Sequence, residues 1–214
     1  MKAWQDEFIK YIIDKGILQF GNFTLKSNRQ SPYFFNAGLF NSGAILAKLG
    51  YFYAKALLDF QIDCDLLFGV AYKGIPLVAT TVISLSNDYK YDIPYCFNRK
   101  EIKSHGEGGI IVGSLLQGRV ILLDDVITSG SSIHESVDLI KSKGAELVGV
   151  LIALDRQEYG NDNNMSAVKE IQNKYKCKVN SLINLSDIIS YIEQKPEMLT
   201  HLKKLREYKK IFGI

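Results

Sequence analysis

The chain has 214 residues, 47% of them hydrophobic and 23% charged, which is ordinary for a globular protein that folds without disulfide bonds or a structural metal. Its 26 basic and 23 acidic residues leave a net charge of +3, too small to predict nucleic-acid binding, and no apolar run approaches the roughly 20 residues of a membrane span. The three cysteines are far apart with no zinc-ligand spacing, and the charged N-terminus is unlike a signal peptide, so we expect a cytoplasmic protein.

The N-terminal part of the chain predicts a helix, a group of short strands and a second helix. The first helix is indicated by apolar residues at helical spacing and by Gly16 as a stop signal: Trp4, Phe8, Tyr11 and Ile12. Residues 17–36 predict short strands joined by polar turns. An apolar stripe then predicts the second helix over about residues 44–59.

Strands and helices alternate through the rest of the chain. The predicted strands are Leu66–Gly69, Ile93–Phe97, Arg119–Leu123, Leu147–Leu154 and 177–183. The predicted helices begin near Ile75, run from about Ser132 to Lys143 and from 163 to 175, and end the chain as two further helical stretches. This rhythm predicts an α/β fold with a mostly parallel sheet flanked by helices. No repeat or linker is visible, so residues 1–214 are expected to form one domain, whose ligands bind beyond the carboxyl ends of the strands.

The most informative stretch runs from Val120 to Ser132, where a buried strand meets Asp124 and Asp125 and then a loop of small hydroxyl residues around Gly130. Backbone amides at a helix start bind phosphate, and glycine lets the backbone approach the ligand closely. Two carboxylates can accept hydrogen bonds from a sugar diol or hold magnesium through water. A plain strand end with a helix cap is the structural alternative. A P-loop or Rossmann site lacks its glycine motif here.

Two cationic loops follow predicted strands. Lys73 lies beside Gly74 directly after the strand that ends at Gly69, and such a lysine either meets a pyrophosphate oxygen or is simply solvated. Residues 98–109 carry four possible cations and several glycines: Arg99, Lys100, Lys103 and His105. That segment is either a flexible surface hairpin or a mobile lid that closes over a polyanion.

Two further stretches are distant in sequence. Residues 20–36 form a small strand-and-turn region, and Arg156 directly follows the strand that ends at Leu154–Asp155. Alone, the first stretch indicates a small lobe, and Arg156 indicates a surface ion pair.

Together these stretches resemble a known family over nearly the whole chain. Residues 120–132 are similar to the ribose-phosphate motif of the type I phosphoribosyltransferases, which use phosphoribosyl pyrophosphate (PRPP) with Mg²⁺. The lid segment 98–109, the stretch 20–36 and Arg156 resemble the orotate phosphoribosyltransferases. The resemblance implies transfer of the phosphoribosyl group from PRPP to orotate, giving orotidine 5′-monophosphate and pyrophosphate in pyrimidine synthesis. It also implies a substrate-binding hood formed mainly by about residues 1–40.

The resemblance assigns roles residue by residue. The catalytic cations would be Lys103, His105 and Lys73. PRPP would be bound by Lys26, Tyr72, Lys73, Arg99, Lys100, Lys103, His105, Asp124, Asp125, Val126, Ile127, Thr128, Ser129, Gly130, Ser131 and Ser132. Orotate would be bound by Lys26, Phe34, Phe35, Thr128 and Arg156. No direct protein ligand is assigned to Mg²⁺, with Asp124 and Asp125 contacting it through water.

The family also implies a homodimer in which the lid reaches the neighbouring active site, and a cis peptide bond at Ala71–Tyr72. Asn28 stands where glycine is frequent, but asparagine tolerates a left-handed turn. A purine or other pyrimidine transferase is an alternative. A PRPP-sensing regulator that binds nucleic acid is another, although no added DNA-binding segment is visible. We expect neither a nucleic-acid nor a membrane partner.

Overall fold

The computed structural model describes residues 1–25, 27–103, 109–127, 130–160 and 165–214, and the side chains of Ile102 and Lys103 are not part of the description. The roles predicted for Lys26, His105, Thr128 and Ser129, and for the side chain of Lys103, therefore fall outside the described residues. No helix among the described residues is both long and apolar enough to cross a bilayer.

The N-terminal part forms a helix and a separate two-stranded sheet. Helix α1 (Ala3–Asp14) is followed by strands β1 (Leu18–Thr24) and β2 (Gln30–Phe35), which pair antiparallel. The turn between these strands places Asn28 at φ 60°, so the expected left-handed asparagine is confirmed. A 3-10 helix (Ala37–Leu39) then leads into the main body.

The remaining elements alternate as the sequence predicts. They are α2 (Gly43–Phe60), β3 (Leu66–Gly69), α3 (Gly74–Tyr89), β4 (Tyr95–Lys103), β5 (Gly109–Gly113), β6 (Arg119–Val126), α4 (Ser131–Ser142), β7 (Glu146–Asp155), α5 (Ala167–Tyr175), β8 (Lys178–Asn184), α6 (Leu185–Glu193), a 3-10 helix (Pro196–Met198) and α7 (Leu199–Phe212).

Within the described residues, six strands form one sheet in the order β5-β4-β3-β6-β7-β8. All neighbouring pairs are parallel except β4–β5 at the edge, so the prediction of a mostly parallel sheet flanked by helices is confirmed. The strands differ from the prediction in places: β4 continues beyond Phe97 to Lys103, β6 continues beyond Leu123 to Val126, and β5 was not predicted. The extension of β4 carries mostly polar and charged residues, and β5 has only three apolar residues between two glycines, so neither segment is long enough or regular enough to predict a strand.

Both faces of the central strands of this sheet are buried, and alternate residues of β3 and β6 reach different cores. On β6, Ile121 and Leu123 join the core formed with α1, α2, α3, α6 and α7. Val120 and Leu122 join the core formed with α4 and α5. Covering on both sides leaves the strand ends as the accessible parts of the sheet, and Asp124 and Asp125 lie at the carboxyl end of β6.

Candidate active site

The loop between β3 and α3 lies against the carboxyl end of β6. A Cβ added to Gly69 would lie 2.3 Å from the carbonyl oxygen of Gly74, and one added to Gly74 would lie 2.8 Å from that of Leu123. Any larger side chain would therefore push this loop away from the strand. The Ala71–Tyr72 peptide bond is cis, which confirms the hypothesis drawn from the family resemblance.

This close packing brings Lys73 to the acidic pair. Its Nζ donates to Asp125 Oδ2 over 2.6 Å, and the lysine side chain is 63% exposed whereas the aspartate side chain is 10% exposed. The neighbouring Tyr72 is exposed. The Lys73 ammonium can therefore exchange the carboxylate for an incoming anion without leaving the protein surface, because most of its surface already contacts solvent.

The acidic pair lies inside β6 and not just beyond it, because the strand continues to Val126 where the sequence predicted an end at Leu123. Successive strand side chains point to opposite faces, so the two carboxylates diverge. Asp124 Oδ1 accepts from the Asp125 backbone N–H over 2.9 Å, and Ser132 Oγ donates to Asp124 Oδ2 over 3.4 Å. The Tyr53 hydroxyl donates to the Asp124 carbonyl over 2.7 Å and so links helix α2 to strand β6.

Burial raises the pKa of the Asp124 carboxyl to about 7, and the neighbouring Asp125 carboxylate adds to the increase. A carboxyl with such a pKa gains its charge within the physiological pH range. Perturbed carboxyl groups in a cleft are characteristic of functional sites, although structural charge networks also produce them.

The segment that follows is the start of helix α4. Ile127 is buried, and Gly130 has φ 74° and is the residue that caps the helix before Ser131. Gly130 therefore adopts the left-handed conformation that glycine permits at little cost. The arrangement aims the backbone amides of a helix N-terminus at the same edge as the acidic pair, where an anion would be stabilised.

Arg156 lies just beyond the end of β7, and it is not a surface ion pair. Its side chain is 11% exposed, and its Nε donates to Glu158 over 2.6 Å. Its Nη2 donates to Ser31 Oγ over 3.0 Å and to the Tyr208 hydroxyl over 3.2 Å. The guanidinium lies 4.2 Å from the centroid of the Tyr33 ring, so strand β2 and helix α7 hold this arginine between them.

A cavity of about 220 Å³ connects the N-terminal strands with the acidic pair. Phe35 lines one side, whereas Phe34 is only half-buried and stacks on Phe23 with ring centroids 5.5 Å apart. The other lining residues are Ala37, Gly38, Phe40, Leu46, Leu49, Tyr53, Lys73, Pro76, Leu77, Asp125 and Ala153. Arg156 is not among the described lining residues and lies three positions beyond Ala153. A larger cavity of about 270 Å³ lies at the opposite, amino edge, but it contains none of the predicted site residues.

The described residues of the predicted lid lie on the antiparallel hairpin strands β4 and β5. Arg99 Nη1 donates to the Gly109 carbonyl over 3.1 Å, and Lys100 Nζ lies 3.9 Å from the Glu135 carboxylate on α4. The base of this hairpin is joined to the Lys73 loop, because the Asn98 side-chain oxygen accepts from the Ala71 N–H over 2.9 Å.

Sequence reasoning gave no role to four residues that support the site: Tyr53, Asn98, Glu158 and Tyr208. Tyr53 carries a hydroxyl on the apolar stripe of α2, which is a usable signal because a buried hydroxyl requires a partner. The contact of Tyr208 with Arg156 spans 52 positions, and no local pattern indicates it.

Comparison with known proteins gives a consistent result. A family model described as phosphoribosyl transferase domain matches residues 38–182. Proteins named orotate phosphoribosyltransferase from Shigella flexneri and Yersinia enterocolitica are 58% and 56% identical to this chain over 214 residues, covering 100% of each sequence. The solved orotate phosphoribosyltransferase of Francisella tularensis is 40% identical, with a TM-score of 0.88, covering 97% of this chain and 100% of that one. The similarity therefore includes the N-terminal strands as well as the sheet.

Proposed function

The chain belongs to the orotate phosphoribosyltransferase family, and we propose that the carboxyl edge of its parallel sheet carries out that family's reaction. The protein is a phosphoribosyltransferase that transfers the phosphoribosyl group of PRPP to orotate in pyrimidine synthesis. Nitrogen replaces pyrophosphate at the anomeric carbon of ribose. We place the reaction at this edge because a single cavity is lined by Phe35 of the hood and by Lys73 and Asp125.

The ribose and its 5′-phosphate bind at the end of β6. Asp124 and Asp125 accept hydrogen bonds from the ribose hydroxyls, and the amides of residues 126–132 hold the phosphate, which Ser131 and Ser132 contact at the helix start. Thr128 and Ser129 belong to the same segment by sequence. Lys73 exchanges Asp125 for an oxygen of the pyrophosphate, and Tyr72 lies beside it. The two carboxylates thereby fix the sugar while the lysine stabilises the leaving group.

Orotate binds between the hood and Arg156. The ring lies against Phe34 and Phe35 and near Lys26 and Thr128, and its carboxylate pairs with the guanidinium of Arg156. A planar guanidinium suits a carboxylate, and this pairing favours orotate over uracil, which has no carboxylate. The ring nitrogen reacts as an anion, so no strong protein base is required near the cavity.

Mg²⁺ fits the residues of this site when the substrate supplies most of the ligands. No group of three or more metal-ligating side chains exists within the described residues, so a cage made of protein alone is absent from that part of the chain. Mg²⁺ usually keeps several coordinated waters and binds one or two carboxylates together with phosphate oxygens. The two adjacent carboxylates at the cleft suit this coordination. Asp124 and Asp125 would hold it through water, and when bound it offsets the negative charge of the pyrophosphate.

Lys103 and His105 act on the pyrophosphate from the lid, together with Arg99 and Lys100. The enzyme is a cytoplasmic homodimer, and the lid of each subunit reaches the active site of its neighbour. Mixing inactive Lys103→Ala chains with inactive Asp125→Asn chains tests this arrangement. Random exchange makes half of the dimers hybrid, each with one intact site, so activity returns to about a quarter of the wild-type value. Activity that stays at the level of the separate variants contradicts a shared site.

The affinity for PRPP depends on pH through Asp124. Between pH 6 and pH 8 a carboxyl with a pKa of about 7 goes from roughly one tenth to nine tenths ionised, so affinity rises about tenfold. The same carboxyl keeps its proton in the folded state where the unfolded chain has lost it, so the free energy of unfolding falls as pH rises from about 4 to about 7. Titration calorimetry measures the binding step. Asp124→Asn is the control, since it removes the protein's ionisation and leaves that of PRPP.

Gly130→Ala raises the KM for PRPP about five- to thirtyfold, because alanine in the left-handed region costs about 1–2 kcal/mol and the loop must shift to relieve it. Gly144→Ala is a matched control at the other end of α4. Gly144 has the same φ of 74°, and an added Cβ would meet nothing within 4 Å. The control lowers stability by a similar amount without changing the KM. An equal change in KM for both variants shows that the effect is not local to the phosphate segment.

The reaction itself is tested by following loss of orotate absorbance with purified protein, PRPP and magnesium. We expect a loss that requires PRPP and stops when a chelator is added. A folded protein that binds PRPP but consumes no orotate contradicts the proposed function.

A further inference from the structure

Glu158 lies at the centre of a buried polar cluster that the reaction does not explain. The chain turns back at Gln157, which has φ 53°, and so brings the Glu158 carboxylate to Arg156 two positions earlier. Tyr208 of α7 donates its hydroxyl to the same carboxylate over 2.7 Å, and Arg29 lies 3.2 Å from it. Three donors from separate parts of the chain therefore converge on one carboxylate that is 12% exposed.

The guanidinium of Arg156 is correspondingly fixed. Nε donates to Glu158, and the two hydrogens of Nη2 donate to Ser31 and Tyr208. The Ser31 hydroxyl itself donates to the Tyr33 carbonyl over 2.7 Å, so it is an acceptor toward the arginine. Nη1 donates to no described residue, whereas the face of the group rests on Tyr33. The cluster thus occupies three of the five N–H donors and leaves one end of the group available.

Helix α7 and the backbone at its end pack against the cluster of Arg156 and Glu158. Tyr208 packs edge-on against Tyr33 with ring centroids 6.0 Å apart, and the Arg29 guanidinium lies 5.5 Å from the centroid of Phe212. The backbone after α7 pairs with the turn around Glu158, since Tyr159 N–H donates to the Phe212 carbonyl and Ile214 N–H donates to the Gln157 carbonyl. Helix α7 therefore closes the cluster although it lies about fifty positions further along the chain.

We propose that Glu158 and Tyr208 are positioning residues that hold Arg156 with its Nη1 group toward the substrate carboxylate, and that they thereby set the affinity for an acidic pyrimidine. The inference rests on the proposed function. A free arginine side chain has many rotamers, and ordering it on binding reduces affinity. Here the ordering is completed during folding. Glu158 offsets one of the two positive charges that Arg29 and Arg156 bring to the cluster, and recognition depends on the direction of the Arg156 N–H groups more than on the net charge that remains.

Three substitutions separate position from charge. Tyr208→Phe keeps the ring and removes the hydroxyl, and it raises the KM for orotate about three- to tenfold, because the lost hydrogen bonds orient Arg156 and do not contact the substrate. Glu158→Asp keeps the charge but withdraws the carboxylate from Arg156, whereas Glu158→Gln keeps an acceptor at the same place without the charge. Positioning predicts that Glu158→Asp raises the KM for orotate more than Glu158→Gln does. In all three variants kcat and the KM for PRPP stay within about twofold of wild type.

A control variant and a folding measurement distinguish a positioning effect from general structural damage. Tyr191→Phe removes the hydroxyl of another buried tyrosine, on α6, and leaves the KM for orotate unchanged. Thermal unfolding shows whether each variant is folded at the assay temperature. A larger effect from Glu158→Gln than from Glu158→Asp overturns the proposal in favour of charge, and a parallel change in both KM values overturns it in favour of general structural damage. If the wild-type protein consumes no orotate, the proposed function fails instead.

Discussion

Asp125→Asn lowers kcat/KM for PRPP by roughly 10²–10³, because hydrogen bonds from the ribose hydroxyls to a charged carboxylate contribute about 1.5–3 kcal/mol each. Asparagine keeps the shape and one acceptor oxygen but removes the charge. The substitution also removes the ionic partner of Lys73, whose Nζ lies 2.6 Å from the carboxylate. Steady-state kinetics with PRPP as the varied substrate measures the loss, and orotate is kept saturating.

Asp65→Asn is the matched control for this change. Asp65 also pairs with a cation, since its carboxylate accepts from Arg119 Nη2 over 2.7 Å, but the pair lies at the amino edge of the sheet, before β3. Removal of that charge leaves kcat/KM within about twofold of wild type, because exposed ion pairs contribute only about 0–1 kcal/mol. If both variants lose activity equally, the acidic pair has no special role.

Arg156→Lys raises the KM for orotate by about 10²-fold, with a smaller change in the KM for PRPP. Truncation of one partner in a buried charge pair costs about 2–5 kcal/mol in binding, and lysine lacks the planar group that matches a carboxylate. Lysine also cannot reach Glu158, Ser31 and Tyr208 at once. Competition between orotate and uracil gives a second measurement, because the preference for the acidic base decreases together with the affinity.

Arg119→Lys is the control. Arg119 is also an arginine paired with carboxylates, those of Asp63 and Asp65, but it is 42% exposed and lies at the amino edge of the sheet, away from the cavity that contains Asp125. We expect its KM for orotate to equal that of the wild-type protein. An unchanged KM for orotate in Arg156→Lys contradicts the assignment of the substrate carboxylate to this arginine.

The parts of the site that are local in sequence are the parts that could be predicted. The acidic pair, the glycine at φ 74° and the first residue of the following helix lie within eight residues, 124–131, and the order of residue types in that segment already indicates a phosphate and sugar site. The close packing of Gly69 and Gly74 lies in the predicted loop as well. Such segments have a strict backbone requirement, and few residue types satisfy it.

The parts that depend on long-range contacts could not be predicted. Tyr208 is an apolar-stripe residue by its spacing, and its contact with Glu158 arises only when α7 packs against β2. Strand β5 was missed because an edge strand with glycine and polar neighbours lacks the alternation of a half-buried strand. The ionic pair of Lys73 with Asp125 joins the loop after β3 to a residue of β6 that lies 52 positions away, and only the parallel pairing of β3 with β6 brings them together.

A crystal structure with orotate, magnesium and an unreactive analogue of PRPP tests the placement of the site most directly. We expect the ribose hydroxyls on Asp124 and Asp125, the pyrimidine ring against Phe35, and the orotate carboxylate on Nη1 of Arg156. Binding of either ligand in the cavity at the amino edge, beside Cys64 and Tyr91, would contradict the proposed site.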